Sequence, residues 1–383
     1  MKKIVFILIL LSFFSCKKDD SSTIPDVVSD GTVYIGNFGG TFYAIDAGSG
    51  VKKWEFKAGG EIQSSATVAN GIVYFGCNDK KLYALDATTG AKKWEFLTNA
   101  NFKVSVPMYV NGVIYVGSGH VFAIDALKGT KIWETQVDSF YDYNVECSVT
   151  AVNGILYGSV RGGAGAYLGL FALDIATGAR KWSKTTGTSV TESSPAVYNG
   201  LVYAGNELFG LEAYDITTGA VKLKNITPSG LSNGFSNSSP TISNGIAYIG
   251  AIFSGKFYAI DATTGKIKWE FLSDKGIDSS PIVSNGIVYF GSNNSKLYAL
   301  DATTGAKKWE FLTTAFNYVN SSPTVANGLV YIGSEDKKLY AIDATTGAKK
   351  WEFLSNERFL YSSPSVVDKD GKVFYAGISG MVQ

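Results

Sequence analysis

Few residues of this 383-residue chain are equipped for chemistry. His120 is the single histidine, which rules out a zinc site built on two or more histidines and gives no histidine-based triad. The three cysteines, Cys16, Cys77 and Cys147, form neither a Cys-x-x-Cys pair nor a haem-attachment motif. Cys77 and Cys147 fall in different segments and are expected to stay unpaired. Gly162, Gly163 and Gly165 do not open a helix, so they make no phosphate loop. Glu146, Glu192 and Asp278 recur just before Ser-Ser-Pro-like segments and have the residue type of a paired-carboxylate hydrolase. Solvated rim carboxylates are the simpler expectation. No catalytic residue, metal-ligand set or cofactor is assigned.

The elements that would position any site come from a repeat. Trp54, Trp94, Trp133, Trp182, Leu223, Trp269, Trp309 and Trp351 form one column, spaced 39 to 49 residues apart, and it uses every tryptophan in the chain. Eight paired aspartates, from Asp46 to Asp343, and eight glycines, from Gly50 to Gly347, complete the phrase Ala-x-Asp-x-x-x-Gly-x-x-x-Trp. Each unit holds four short runs rich in Val, Ile, Tyr and Phe. Asn-Gly and Thr-Gly turns separate them, so they read as strands and hairpins. Four strands per unit of about 40 residues is the pattern of a β-propeller blade. The expected fold is therefore all-β: an eight-bladed propeller of four-stranded antiparallel blades. The Asp is expected to accept N–H groups across its turn, and the Trp to dock between blades.

This phrase resembles the tryptophan-docking motif of PQQ-type propellers, a family that includes quinoprotein dehydrogenases and the BamB-type outer-membrane assembly lipoprotein. The resemblance covers residues 24–383 and implies eight blades. It also implies what a quinoprotein enzyme would need: adjacent cysteines, a tryptophan stacked on the quinone, and a Glu/Asn/Asp calcium set. The chain has no adjacent cysteines, all its tryptophans are in the docking column, and no calcium set can be matched. The resemblance therefore favours a non-catalytic, BamB-like scaffold that binds a protein or other ligand. A PQQ-dependent dehydrogenase-like enzyme and a surface glycan-binding lipoprotein are the alternatives.

The N-terminus reads as an address. Lys2 and Lys3, the apolar run Ile4–Phe14 and Ser15-Cys16 describe a secretory signal over 1–15. Ser15-Cys16 resembles the lipobox of Bacteroidetes lipoproteins, which makes Cys16 the expected lipid-attachment site. Lys18-Asp19-Asp20 resembles a surface-export signal within a polar tether over 16–23. A surface-exposed outer-membrane lipoprotein is expected, with a periplasm-facing orientation as the alternative. Cutting after Ser15 changes the formal charge from +1 to −1, which leaves no basic footprint for nucleic acid.

Binding is expected where the repeats disagree. Repeats 2, 7 and 8 are nearly identical, whereas repeat 4 carries an insertion at Arg161–Gly169 and repeat 5 replaces Trp with Leu223. The candidate face comprises Phe140, Tyr141, Tyr143, Glu146, Arg161, Tyr167, Glu192, Phe235, Phe316, Tyr318 and Phe359. The variable positions Gln63, Val104, Glu146, Glu192, Asn237, Asp278, Asn320 and Tyr361 are expected to ring the channel mouth, with Phe102 on a nearby loop of the same face. An outer-membrane or extracellular protein, or a glycan, suits such a face on a monomeric propeller. The C-terminal segment from Ser362 repeats a first and second strand and is expected to close the ring through the first blade.

Overall fold

The computed structural model describes residues 31–137, 145, 147–160, 168–185, 193–206, 210–224, 238–314 and 318–376. These residues form eight antiparallel sheets and no helix. No described helix is long and apolar enough to cross a membrane.

Blade two shows the local logic. Its strands are Thr67–Ala69, Ile72–Gly76, Lys81–Asp86 and Lys92–Leu97, ordered from the channel outward. Asn70 (φ 50°) and Gly71 (φ 72°) make the first turn, the two successive positive φ values that a tight hairpin requires. Ile72–Gly76 is buried at every position, because neighbouring blades cover both faces. The outer strand Lys92–Leu97 alternates exposed and half-buried residues, since only one face is covered.

The conserved phrase ties each blade to the next. In blade eight, Asp343 Oδ1 accepts the N–H groups of Thr345 (3.1 Å) and Thr346 (2.9 Å) and the Thr346 hydroxyl (3.0 Å). This holds the turn so that Gly347 takes φ 75°, and a Cβ there would lie 2.8 Å from a ring carbon of Trp309 in blade seven. The Trp309 indole N–H donates to Ala344 O at 3.1 Å, and the Tyr289 hydroxyl donates to the same carbonyl at 3.0 Å. One carbonyl oxygen thus receives two donors from the preceding blade. Blade five has Leu223 in the tryptophan column, and there Tyr203 alone of this pair reaches Ala262 O, at 2.6 Å.

The ring closes through the first blade, as the sequence suggests. Ser365–Asp368 pairs antiparallel with Gly31–Gly36, so the C-terminal segment supplies the inner strand that the N-terminal segment lacks. The eight inner strands then abut one another in a continuous ring. Trp351 docks on Gly50, and its indole donates to Ala47 O, completing the cycle of tryptophans.

The second of the two expected C-terminal strands takes a place that no other blade fills. Val373–Phe374 pairs with the channel edge of Ser365–Asp368, giving blade one a fifth strand. That strand stands one position nearer the axis than any other described strand and occupies part of the channel.

Candidate functional site

The propeller has two faces. The turn face carries the Asn-Gly hairpins and the Asp-x-x-x-Gly turns. The loop face carries the links between blades and those between second and third strands.

At the loop face, the channel is girdled by hydroxyls. The backbone N–H of Ser148 donates to Ser194 Oγ (3.1 Å), Ser194 to Ser239 (2.8 Å), Ser239 to Ser280 (2.9 Å) and Ser280 to Ser322 (2.8 Å). Ser322 donates to Ser363 and Ser363 to Ser65, both at 2.9 Å. Val106 N donates to Ser148 Oγ at 2.9 Å, but Val106 has no hydroxyl to offer in turn, so the girdle is broken at blade three. Inside it lies a cavity of about 50 Å³, lined also by Val104, Asp278, Asn320, Tyr361 and Ala376. These include four of the eight predicted rim positions; Gln63 donates to Glu61 Oε2 at 3.0 Å, and Glu146, Glu192 and Asn237 lie outside the described residues.

Of the three rim carboxylates, Asp278 is the one described, and it is not simply solvated. Asp278 is buried and accepts Asn293 Nδ2 at 2.9 Å. Asn320 is also buried, and its Nδ2 donates to Glu335 Oε1 at 3.0 Å. Burial pushes the Glu335 carboxyl above its ordinary range; Arg358 opposes that rise and Asp278 adds to it. Arg358 Nη1 lies 3.5 Å from Glu335 Oε2 and its guanidinium covers the Phe38 ring at 4.4 Å. Sequence reading missed Glu335, Asn293 and Arg358, which belong to no recurrent phrase.

Of the predicted aromatic face, the structure describes two members. Tyr318 is half-exposed. Phe359 is a correction: it is fully buried against Gly333, edge-on to Tyr43 at 6.5 Å. Phe102, also expected on this face, is likewise buried, against Gly76. Both are wedges that fill the space left by a second-strand glycine, as Ile62, Ile277 and Val319 do elsewhere. Phe140, Tyr141, Tyr143, Glu146, Arg161, Tyr167, Glu192, Phe235 and Phe316 lie outside the described residues, as does Cys16.

His120 opens the third strand of blade three. Its Nδ1 lies 2.7 Å from Glu134 Oε1 and 2.8 Å from Asn99 Nδ2. Lys131 and, to a lesser extent, His120 hold the Glu134 carboxyl down at about 2. This is a tied surface network. Cys77 and Cys147 are buried free thiols. Burial pushes Cys77 up to about 12, and Cys147 Sγ takes the place of a girdle-adjacent serine, accepting Ser159 N at 3.1 Å. No group of three or more His, Cys, Asp or Glu suited to a metal ion occurs among the described residues.

The family model described as outer membrane protein assembly factor BamB matches residues 14–221, 155–310, 224–352 and 312–382. The chain belongs to this PQQ-type repeat family. No curated protein sequence matches it. Similar solved structures include the computationally designed Ika8 protein, 15% identical with a TM-score of 0.65 over 82% of this chain and 96% of that one. A europium-containing methanol dehydrogenase is 15% identical with a TM-score of 0.66 over 81% of this chain and 80% of that one. BamB from Moraxella catarrhalis is 17% identical with a TM-score of 0.46, covering 91% of this chain and 93% of that one. The first two likenesses show the propeller fold.

Proposed function

We propose that this protein is a lipid-anchored cell-envelope propeller that binds a partner through its loop face and catalyses nothing itself. The observation that carries the reading is the commitment of every indole to blade docking, together with the narrow loop-face end of the channel. That end, among the described residues, is a cavity of about 50 Å³ between the serine girdle and Ala376. That is room for a few waters and not for a tricyclic cofactor. All seven indoles, which a quinone-binding relative would draw on for stacking, have blade-docking contacts.

What remains is a rigid ring presenting divergent loops, the usual arrangement for recognition on a fixed scaffold. The family description supports an outer-membrane protein as partner. Lipid attachment at Cys16 would hold the propeller at the outer membrane. Lys18-Asp19-Asp20 supports an outward orientation, in which an extracellular protein or a glycan becomes the occupant.

The deciding experiment is in-cell crosslinking followed by capture of the full chain. Recovery of outer-membrane assembly components supports the scaffold reading. Saturable binding of PQQ with calcium, accompanied by dye reduction, would overturn it. Protease treatment of intact cells reads the orientation: loss of the propeller means outward, protection means periplasmic.

A further inference from the structure

The turn face carries a feature of a different kind. The fifth strand of blade one fills only one side of the channel, against blade eight. On the other side a cavity of about 990 Å³ remains, bounded by Val373 and Tyr375 and by the inner strands of blades two, three and four. This volume is at the upper end of the range for small-molecule sites.

Three observations distinguish it from leftover space. First, Tyr375 closes the cavity with directed bonds: its hydroxyl donates to Val68 O at 2.9 Å and lies 3.3 Å from Val68 N. Second, the inner strands depart from the repeat here. Blade three has Met108 where blades two, four, six and eight carry a threonine that bonds the next blade, as Thr150 Oγ1 does to Pro195 O at 2.7 Å; blades five and seven have Ala196 and Ile282 there, and the long unbranched side chain is particular to blade three. Blade four has Ala151 where blades two, five, six, seven and eight carry Val or Ile, so the wall is set back by a branched side chain. Third, the lining is almost uncharged. Among the described lining residues Lys53 is the one that is charged, and its Nζ is held by Gly31 O (2.8 Å), Thr32 Oγ1 (2.9 Å) and Asp46 Oδ2 (3.3 Å).

We propose that this cavity is a binding site for an uncharged, largely apolar small molecule. Val68, Met108, Val110, Ala151 and Val373 supply the apolar walls, and the flexible Met108 thioether adapts to the ligand's outline. Asn70, whose Nδ2 donates to the Tyr109 hydroxyl at 2.8 Å, sets a polar edge at the mouth. A cation would lose its hydration and gain no opposite charge, and an anion would meet Lys53 already paired with Asp46, so the site selects against ions. The site is on the face opposite the proposed partner loops, and either assignment can fail without the other.

The test uses 2-naphthylmethanol, 2-naphthoate and 2-naphthylmethylammonium, which share one ring system and differ in charge. Each is titrated into the full chain, and the reading is the difference between the native chain and Ala151→Trp, which cancels partitioning into detergent. The neutral probe is expected to bind one saturable site, at least tenfold more tightly than either ion, and to lose at least tenfold in Ala151→Trp at unchanged melting temperature. Equal binding of the three probes overturns the proposal, as does neutral binding that survives Ala151→Trp. If Ala151→Trp fails to fold, Ala151→Val, which restores the residue type of the other blades, replaces it; a several-fold loss supports the site and no loss overturns it.

Discussion

The indole N–H of Trp351 donates to the carbonyl of Ala47 at 3.0 Å, across 304 residues of sequence. The contact is chemically the same as the one Trp309 makes with Ala344 only 35 residues ahead. The closing interface is therefore of the same kind as the others, and the ring behaves as a cycle of equivalent joints with one weak member.

An ordinary joint sets the scale. Trp309→Ala removes an indole that covers Gly347, tilts against Tyr289 at 5.7 Å and satisfies a shared carbonyl. A loss of about 3–5 kcal/mol is expected, in the range of large core truncations. Chemical denaturation measures it, and a loss under about 1 kcal/mol would contradict the interblade role.

The weak joint can be repaired. Leu223 leaves Ala262 O with Tyr203 as its donor from this column. Leu223→Trp places an indole over Gly265 and offers a second donor to that carbonyl. The variant is expected to melt at a higher temperature than the native chain in calorimetry; a lower melting temperature would show that blade five has reshaped its joint around leucine.

The serine girdle predicts a cost that depends on the partner left behind. Ser280→Ala deletes the acceptor for the buried Ser239 N–H. Leaving that donor unsatisfied is expected to cost about 1–3 kcal/mol. The same change at Ser65 deletes the acceptor of Ser363 N, with a similar expected cost. Val106→Ser supplies the missing hydroxyl, and it is expected to fall within about 1 kcal/mol of the native chain, a gained bond offsetting lost apolar burial. Urea unfolding of the three variants separates them.

The docking turns give the fold an acid limit. In Asp343 the Thr346 N–H, then Lys350 and the Thr346 hydroxyl, hold the carboxyl down at about 2; Asp261 and Asp301 are also at about 2, with the corresponding turn N–H as the leading cause. In Asp86, also at about 2, Lys93 leads. The unfolded chain binds these protons near pH 3.9. A depressed folded value means the contribution is complete above that pH and is lost as pH falls towards 2. Stability is thus expected to be flat from pH 5 to 7 with respect to these groups and to fall between about pH 4 and 2. Replacing Asp261, Asp301 and Asp343 with Asn should flatten that fall, as read by melting temperature against pH.

Closure predicts an all-or-none response. Removing residues 364–383 exposes the edge of Gly31–Gly36 and takes away the partner of buried Val33. The shortened chain is expected to lose its single cooperative transition and to self-associate through that edge, as seen by calorimetry and size-exclusion chromatography. A sharp transition in a monomer would show that seven complete blades suffice.

The fold was legible because each joint is written locally. Asp, Gly and Trp sit within nine residues of one another and repeat eight times with one substitution, so the phrase exposes blade number, strand order and docking together. Closure by Ser365–Asp368 was readable for the same reason, as a first and second strand without the rest of a blade. The channel-side place of Val373–Phe374 was not, since its partner edge exists only after the ring has closed. Phe102 and Phe359 were misplaced because an aromatic in a loop reads alike as wedge or as contact; their alignment with Ile62, Ile277 and Val319 held the missing signal. The turn-face cavity was hidden in small departures, Met108 for Thr and Ala151 for Val, which look like noise until the strands are brought around one axis.

Gly36 and Ser362 are hydrogen-bonded across 326 residues. At ~5–20 residues per second of synthesis, roughly 16–65 s separate the arrival of the first from that of the second. Throughout that interval the earliest-made sheet has a bare edge, while blades two to eight can assemble in order behind it. The first part of the propeller to be made is therefore the last to be finished, and its open edge is the place where an unfinished chain is most exposed to pairing with another.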